Sequence, residues 1–158
     1  MNRLKLIAFV LVTVCFGIGC QQVETEVRFW DLDQTVKRSE GDWVLIDGDA
    51  GKEKVQEGLW RTWYDNGIQE SEMTFVRGKR VGHCRFYYEN GQIRQEMFFN
   101  TRGRLDGEIT WWKSDGEVLK TSKMKDGTGS DFYFNEDYSM RKEIRYVGGE
   151  VKEQILYE

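Results

Sequence analysis

Gly58-Leu59-Trp60-Arg61-Thr62-Trp63-Tyr64-Asp65-Asn66-Gly67 decides the fold, because its pattern returns three times. The second copy is Gly82-His83-Cys84-Arg85-Phe86-Tyr87-Tyr88-Glu89-Asn90-Gly91 and the third is Gly107-Glu108-Ile109-Thr110-Trp111-Trp112-Lys113-Ser114-Asp115-Gly116. A worn fourth, Gly129-Ser130-Asp131-Phe132-Tyr133-Phe134-Asn135-Glu136-Asp137-Tyr138, has tyrosine in place of the second glycine. The leading glycines stand 24, 25 and 22 residues apart, and recurrence at such a period marks a stacked repeat architecture. Asn-Gly or Asp-Gly between segments rich in Trp, Tyr, Phe and Thr is a hairpin signal, because glycine takes positive φ without steric penalty. A lone hairpin is marginal in water, so the units must stack edge to edge. The expected fold is all-β, a single elongated antiparallel meander of stacked β-hairpin repeats. Its units are 58–81, 82–106, 107–128 and 129–152 plus a C-terminal strand. Residues 39–57 form a degenerate entry hairpin that turns at Asp47-Gly48-Asp49-Ala50-Gly51. That turn starts like a calcium loop, but Lys52 stands where the loop needs glycine and Gly58 where it needs the bidentate glutamate.

The whole chain has 158 residues, about one domain. Charged residues make up 32% of it, which suits disorder, yet 14% aromatic residues with six tryptophans supply the apolar area for a core. A net charge of −4 argues against a sequence-independent grip on nucleic acid or acidic lipid.

Arg3 and Lys5 precede an apolar run, Leu6 to Phe16, that ends in Gly17-Ile18-Gly19-Cys20. The run is shorter than the roughly 20 residues that cross a bilayer, and it reads as a secretory signal over residues 1–19. A small residue before a cysteine at this place resembles a bacterial lipobox. That resemblance implies acylation of Cys20, which becomes the mature N-terminus, with residues 20–38 as a lipidated tether. Gln21-Gln22 lacks the aspartate that retains such lipoproteins at the inner membrane, so the implied location is the cell envelope, at the outer membrane if the host is Gram-negative. With Cys20 lipidated, Cys84 has no intramolecular partner; the alternative, a Cys20–Cys84 disulfide, needs an unacylated chain.

The tether holds Phe29-Trp30-Asp31-Leu32-Asp33-Gln34-Thr35-Val36, which resembles the first motif of the haloacid-dehalogenase-like phosphatases. There the first aspartate, Asp31 here, attacks phosphorus and the second, Asp33, acts as acid and base. Gly48-Asp49 could imitate that family's late metal-binding acidic motif. That chemistry is built on a parallel sheet wrapped by helices, and the 15 residues between the acidic segments cannot hold two βαβ crossovers. Nothing downstream reads as amphipathic helix. The expectation is therefore no enzyme, no cofactor and no metal site, with His83 a surface residue and Asp31 a solvated strand end.

Two strand registers are open. A two-residue Asn-Gly turn sets Arg61 against Glu72, Arg85 against Glu96 and Thr110 against Thr121 on one face. It sets Trp60 against Met73, Cys84 against Met97 and Ile109 against Ser122 on the other. Cys84 is then a buried, inert thiol. A one-residue bulge at the turn instead pairs Trp63 with Gln69, Tyr87 with Ile93 and Trp112 with Val118. In the first register Trp63, Tyr87, Trp112 and Phe134 form an aromatic ladder with rungs about 10 Å apart, on the face that carries Arg61, Arg85, Glu70, Glu72, Arg94 and Glu96. Aromatic and arginine side chains are enriched in contact surfaces.

The theme Gly58, Trp63-Tyr64, Asn66-Gly67, Glu72, Phe75, Gly78-Lys79, Gly82 resembles MORN-type repeats, specifically the bacterial variant class often labelled as an antitoxin component. The resemblance covers about Glu57 to Glu158 and implies an elongated sheet used for binding or scaffolding, without catalytic apparatus. The expected function is a lipid-anchored envelope module whose partner is another protein. A polysaccharide stacked on the ladder is the alternative, and a phosphatase using Asp31 and Asp33 a remote one.

Overall fold

In the computed structural model, residues 7–15, 20–31, 33–48 and 51–157 are described, with side chains from Val23 onward. Among them are twelve β-strands and no helix, so the fold is all-β. The chain divides into two compact units, residues 1–79 and 80–158.

In the first unit, β1 (Ile7–Cys15), β2 (Cys20–Phe29), β3 (Lys37–Gly48), β4 (Gly51–Trp63) and β5 (Gln69–Val76) are hydrogen-bonded in chain order, each antiparallel to the next. Residues 20–38, read above as a tether, supply β2 and the loop into β3. The signal reading falls partly on residues 1–6 and 16–19, outside the described residues. The entry hairpin is β3–β4, closed by the pair Gly48 and Gly51; Asp49 and Ala50 lie outside the described residues.

The core of this unit is Val44, Trp60 and Phe75. The Trp60 ring meets Trp43 edge to face at 5.1 Å and Phe75 at 6.3 Å, and its indole N–H donates to the Asp42 carbonyl at 3.0 Å. Glycine at position 41 is what lets this ring lie flat on the β3 backbone, since a Cβ there would sit 2.1 Å from it. The ladder bulges at the same place: Glu40 faces Arg61 while Asp42 faces Glu57.

The second unit contains β6 (Lys79–Tyr87, its first residue at the unit boundary), β7 (Ile93–Phe99), β8 (Gly107–Trp112) and β9 (Val118–Met124), again in chain order. Its core is Cys84, Met97, Phe99, Ile109, Trp111 and Met124, joined by Ile144 from a second sheet. That second sheet corrects the expectation of a single meander: β10 (Gly129–Phe134), β11 (Met140–Val147) and β12 (Glu150–Leu156) form a separate three-stranded sheet. The reason lies at the β9–β10 turn. One isolated bridge, Lys125 to Thr128, closes it. Gly129 then lies so close to β9 that a Cβ would meet Met124 Sδ at 2.5 Å and the Lys123 carbonyl at 2.6 Å. A side-chain bond, Ser122 Oγ to the Ser130 carbonyl at 2.8 Å, stands where a backbone rung would be. Beyond it, Phe132 and Phe134 pack edge to face on Trp111 at 5.7 and 6.2 Å.

The two registers turn out to be parts of one. Arg61 faces Glu72, Trp60 faces Met73, Arg85 faces Glu96, Cys84 faces Met97, Thr110 faces Thr121 and Ile109 faces Ser122. At the turn ends, however, Trp63 faces Gln69, Tyr87 faces Ile93 and Trp112 faces Val118. The turn is not the two-residue type. Tyr64 N–H donates to the Ile68 carbonyl at 2.9 Å and Gly67 N–H to the Tyr64 carbonyl at 3.1 Å, so Asp65, Asn66 and Gly67 form a three-residue loop with Gly67 left-handed at φ 81°. The extra loop residue moves the strands one step out of phase, and a one-residue bulge at Glu70 moves them back. The second and third hairpins repeat the device with Gly91 and Gly116. The fourth keeps it although Tyr138 replaces glycine: Tyr138 adopts φ 67°, and the bulge follows between Tyr133 and Phe134.

These two glycine roles are separable. Gly41→Ala is expected to lower stability in urea denaturation by about 1–3 kcal/mol through overpacking against Trp60. Gly67→Ala should lose about 1–2 kcal/mol from left-handed strain alone, since a Cβ there meets nothing within 4 Å. Asparagine, which tolerates that conformation, should restore much of the loss at 67 and none at 41.

Candidate functional site

Strand alternation sends Arg61 and Trp63 of β4, and Arg85 and Tyr87 of β6, to the face opposite Trp60 and Cys84. Each arginine has a carboxylate directly across the ladder. Arg61 Nε lies 3.1 Å from Glu72 Oε2, and an Arg85 terminal nitrogen 3.3 Å from Glu96 Oε1. Glu96 Oε1 also takes His83 Nδ1 at 2.6 Å, and the exposed His83 ring meets Phe98 edge to face at 5.3 Å. In each unit, the charges named here are therefore paired across their own ladder.

The bulges correct part of the expected face. A bulge turns two successive side chains to the same side, and Glu70 follows Ser71 toward the core. Its Oε2 accepts from Thr62 Oγ1 at 3.0 Å, next to the 2.7 Å Thr62–Ser71 hydroxyl pair. Arg94, at the equivalent bulge, lies over the Phe86 ring at 5.9 Å. Glu70 thus leaves the face of the first unit that carries Arg61 and Glu72, and Arg94 that of the second unit that carries Arg85 and Glu96.

Of the four aromatic rungs, all are half-buried. Trp63 belongs to the first unit, where Lys37 Nζ stands 5.7 Å from its ring centroid. The Trp63 carbonyl accepts the Trp30 indole N–H at 2.8 Å, and the Arg38 guanidinium covers the Trp30 ring at 4.6 Å. Trp30 and Lys37 thus extend the Trp63 surface, which reasoning from the repeat missed because both lie outside it; the Phe29-Trp30 pair was the available signal. In the second unit, Tyr87 and Trp112 stand with Ile93 and the exposed Val118 across their strands. Phe134 departs from the row, because it packs on Trp111, whose side chain points opposite to that of Trp112.

The acidic motif has a local explanation. Asp31 Oδ1 accepts the backbone N–H groups of Thr35 at 3.0 Å and Val36 at 3.2 Å, and Oδ2 accepts the Thr35 hydroxyl. Trp30 N–H donates to the Val36 carbonyl at 2.9 Å, closing the loop. The Thr35 hydroxyl bond, with these backbone donors, holds the Asp31 carboxyl below the usual carboxylate range. Its lone pairs are thus engaged in closing its own loop. Asp33 is exposed on the same loop. Among the described residues, no three or more His, Cys, Asp or Glu side chains converge as metal ligands.

Cys84 is free and fully buried, so the alternative bridge to Cys20 is not formed. Cys20 stands opposite Cys15 in the β1–β2 ladder.

Sequence comparison fits this repeat. Residues 56–77 and 80–101 match the family model described as MORN repeat variant, and these segments span the first two hairpin units. Repeats of this family are often binding or scaffolding modules and are generally non-catalytic. No curated protein and no solved structure matches the chain.

Burial pushes the Cys84 thiol up to about 11 from 9.0. The raised value means that the neutral thiol stabilises the fold below pH 9 and that this contribution is lost as pH rises toward 11. Iodoacetamide at pH 8 should leave native Cys84 unmodified and label it on unfolding. Cys84→Ser should destabilise by about 1–3 kcal/mol, since the hydroxyl gains no assured partner, whereas the exposed His83→Ala should change stability by less than about 0.5 kcal/mol.

Proposed function

We propose that this chain is a non-catalytic β-repeat module that binds another protein at the cell envelope, held to the membrane by a lipid on Cys20. The observation that carries the binding reading is a repeated surface unit. An aromatic side chain lies two residues beyond an arginine already paired across the ladder, first as Arg61, Glu72 and Trp63, then as Arg85, Glu96 and Tyr87. Pre-paired arginines are held in place before contact, and half-buried aromatics lose little rotamer freedom on docking, so each of these surface units loses little entropy when a partner covers it. Trp112 with Val118 continues the theme in the third unit. The match to a repeat family that often binds or scaffolds supports the same reading.

The anchor rests on the sequence pattern Leu6 to Cys20. Cleavage before Cys20 removes β1 and leaves β2 as the outermost strand of the first unit. It also removes Arg3 and Lys5 and no acid, so the balance of the mature chain becomes −6.

Two measurements test these statements separately. Mass spectrometry of the protein from its native membrane should find a chain that begins at an acylated Cys20; an intact Met1 terminus would overturn the anchor. For the binding face, residues 23–158 with their Trp63→Ala, Tyr87→Ala and Trp112→Ala variants, each shown to be folded, should be tested against envelope proteins and envelope polysaccharides. A protein partner bound by the wild type and at least tenfold more weakly by the Trp63 and Trp112 variants is expected. Polysaccharide binding lost in those variants would replace the protein reading with a glycan one. Binding unchanged in all three would remove this face from the function.

A further inference from the structure

The third position of each repeat is a core slot, filled by Trp60, Cys84 and Ile109 in the first three units, all buried. The fourth unit places Asp131 there, with only 6% of its surface exposed. One oxygen, Oδ1, accepts the Phe132 N–H at 2.9 Å and faces the amide of Gln95, on β7, at 3.5 Å; the Tyr133 hydroxyl is a further side-chain partner. Gln95 belongs to the β6–β9 sheet and Asp131 to the β10–β12 sheet, so this carboxyl sits at the join between them. Lys142 and Tyr146 of β11 share its electrostatic surroundings, and Arg80 of β6 acts on the neighbouring Tyr133 and Tyr146 and on the neutral Cys84. Neither cation forms an ion pair with Asp131: the charge of Lys142 reaches the carboxyl, but its Nζ lies 4.2 Å from the Tyr133 ring centroid, and the Arg80 guanidinium lies 5.6 Å from that of Phe99.

We infer that Asp131 is an acid-operated latch: protonated, it lets β10–β12 close on β7 and β8, and its ionisation as pH rises favours release of that sheet and exposure of Trp111, Phe132 and Phe134. A neutral carboxyl, its Oδ1 accepting the Phe132 N–H and its own hydroxyl able to donate to the Tyr133 oxygen, is tolerated in this join, whereas a buried carboxylate with no cation in ion-pair contact is disfavoured. The direction agrees with the titration. Desolvation is the largest influence on Asp131 and raises its pKa above 3.8, so its stabilising contribution is complete below that value and is lost as pH rises through the raised one. Within the same sheet, Glu143 acts in the opposite sense. Arg145, Ser130 and Tyr157 bond its carboxylate and lower its pKa, so its contribution is lost as pH falls. The wild type carries both effects, and a variant at 131 isolates the first. The device is independent of the binding face proposed above.

The test is hydrogen–deuterium exchange of the full chain between pH 4 and pH 7.5, corrected for the intrinsic pH dependence of exchange, following amides of β10–β12 against those of β8. Relative to Asp131→Asn, which keeps the Glu143 effect alone, the wild type should lose protection of β10–β12 over β8 as pH rises, by about tenfold for each unit that closure raises the Asp131 pKa. Asp131→Leu, which restores the apolar slot of the other repeats, should remove that loss and raise protection at pH 7.5. A wild type whose pH dependence matches that of the Asn variant would overturn the latch.

Discussion

Everything in this chain depends on phase. A strand shows alternate residues to opposite faces, so a slip of one position would bring Trp60, Cys84 and Ile109 out of the core and put Arg61 and Arg85 in their place. The three-residue loops make such a slip at each repeat hairpin, and the bulge one residue inside the strand reverses it. The loop alone would turn the sheet inside out, and the bulge alone would do the same. Four hairpins use the pair together, including the one whose left-handed residue is a tyrosine.

The same compensation shapes the surface. Each bulge sends a side chain toward the core side at the turn end, as Glu70 and Arg94 show. The opposite face is left with a simpler composition: cross-strand Arg–Glu pairs in mid-strand and aromatics nearer the turns. Salt bridges of this kind, exposed by a third or more on the arginine side, add little to stability. Their value lies in fixing where the charges stand.

Much of this was legible in the sequence. Period, hairpins and the mid-strand pairs followed from glycine spacing and side-chain alternation, because those are local facts repeated often enough to check one another. The turn type was not legible, since Asn66-Gly67 suits a two-residue loop as well as a three-residue one, and the three-residue loop with its bulge gives the same pairs from Arg61 and Glu72 inward as the two-residue loop without one. The break after β9 depends on the close approach of Gly129 to Met124 and on the packing of Phe132 on Trp111, which no repeat comparison contains. Its one visible sign was an aspartate at position 131, where earlier units are apolar. Reading the fourth unit as a worn repeat, on the strength of Tyr138, is what placed Phe134 in a row it does not join.

The hairpin ends are tied to one another at the repeat spacing. In the second unit, the Tyr88 hydroxyl donates to the Trp112 carbonyl at 2.6 Å and the Asn90 amide to the Ser114 carbonyl at 2.8 Å. The Ser114 N–H donates to the Tyr138 hydroxyl at 3.0 Å. Tyr138 is the left-handed tyrosine, a conformation unfavourable for it in isolation, and its hydroxyl is held by the turn of the preceding hairpin. Assembly of this unit therefore has a direction. The third turn carries a glycine and can form from its own sequence, and only then does it offer the groups that hold the fourth in its strained shape, so order propagates toward the C-terminus as the chain is synthesised.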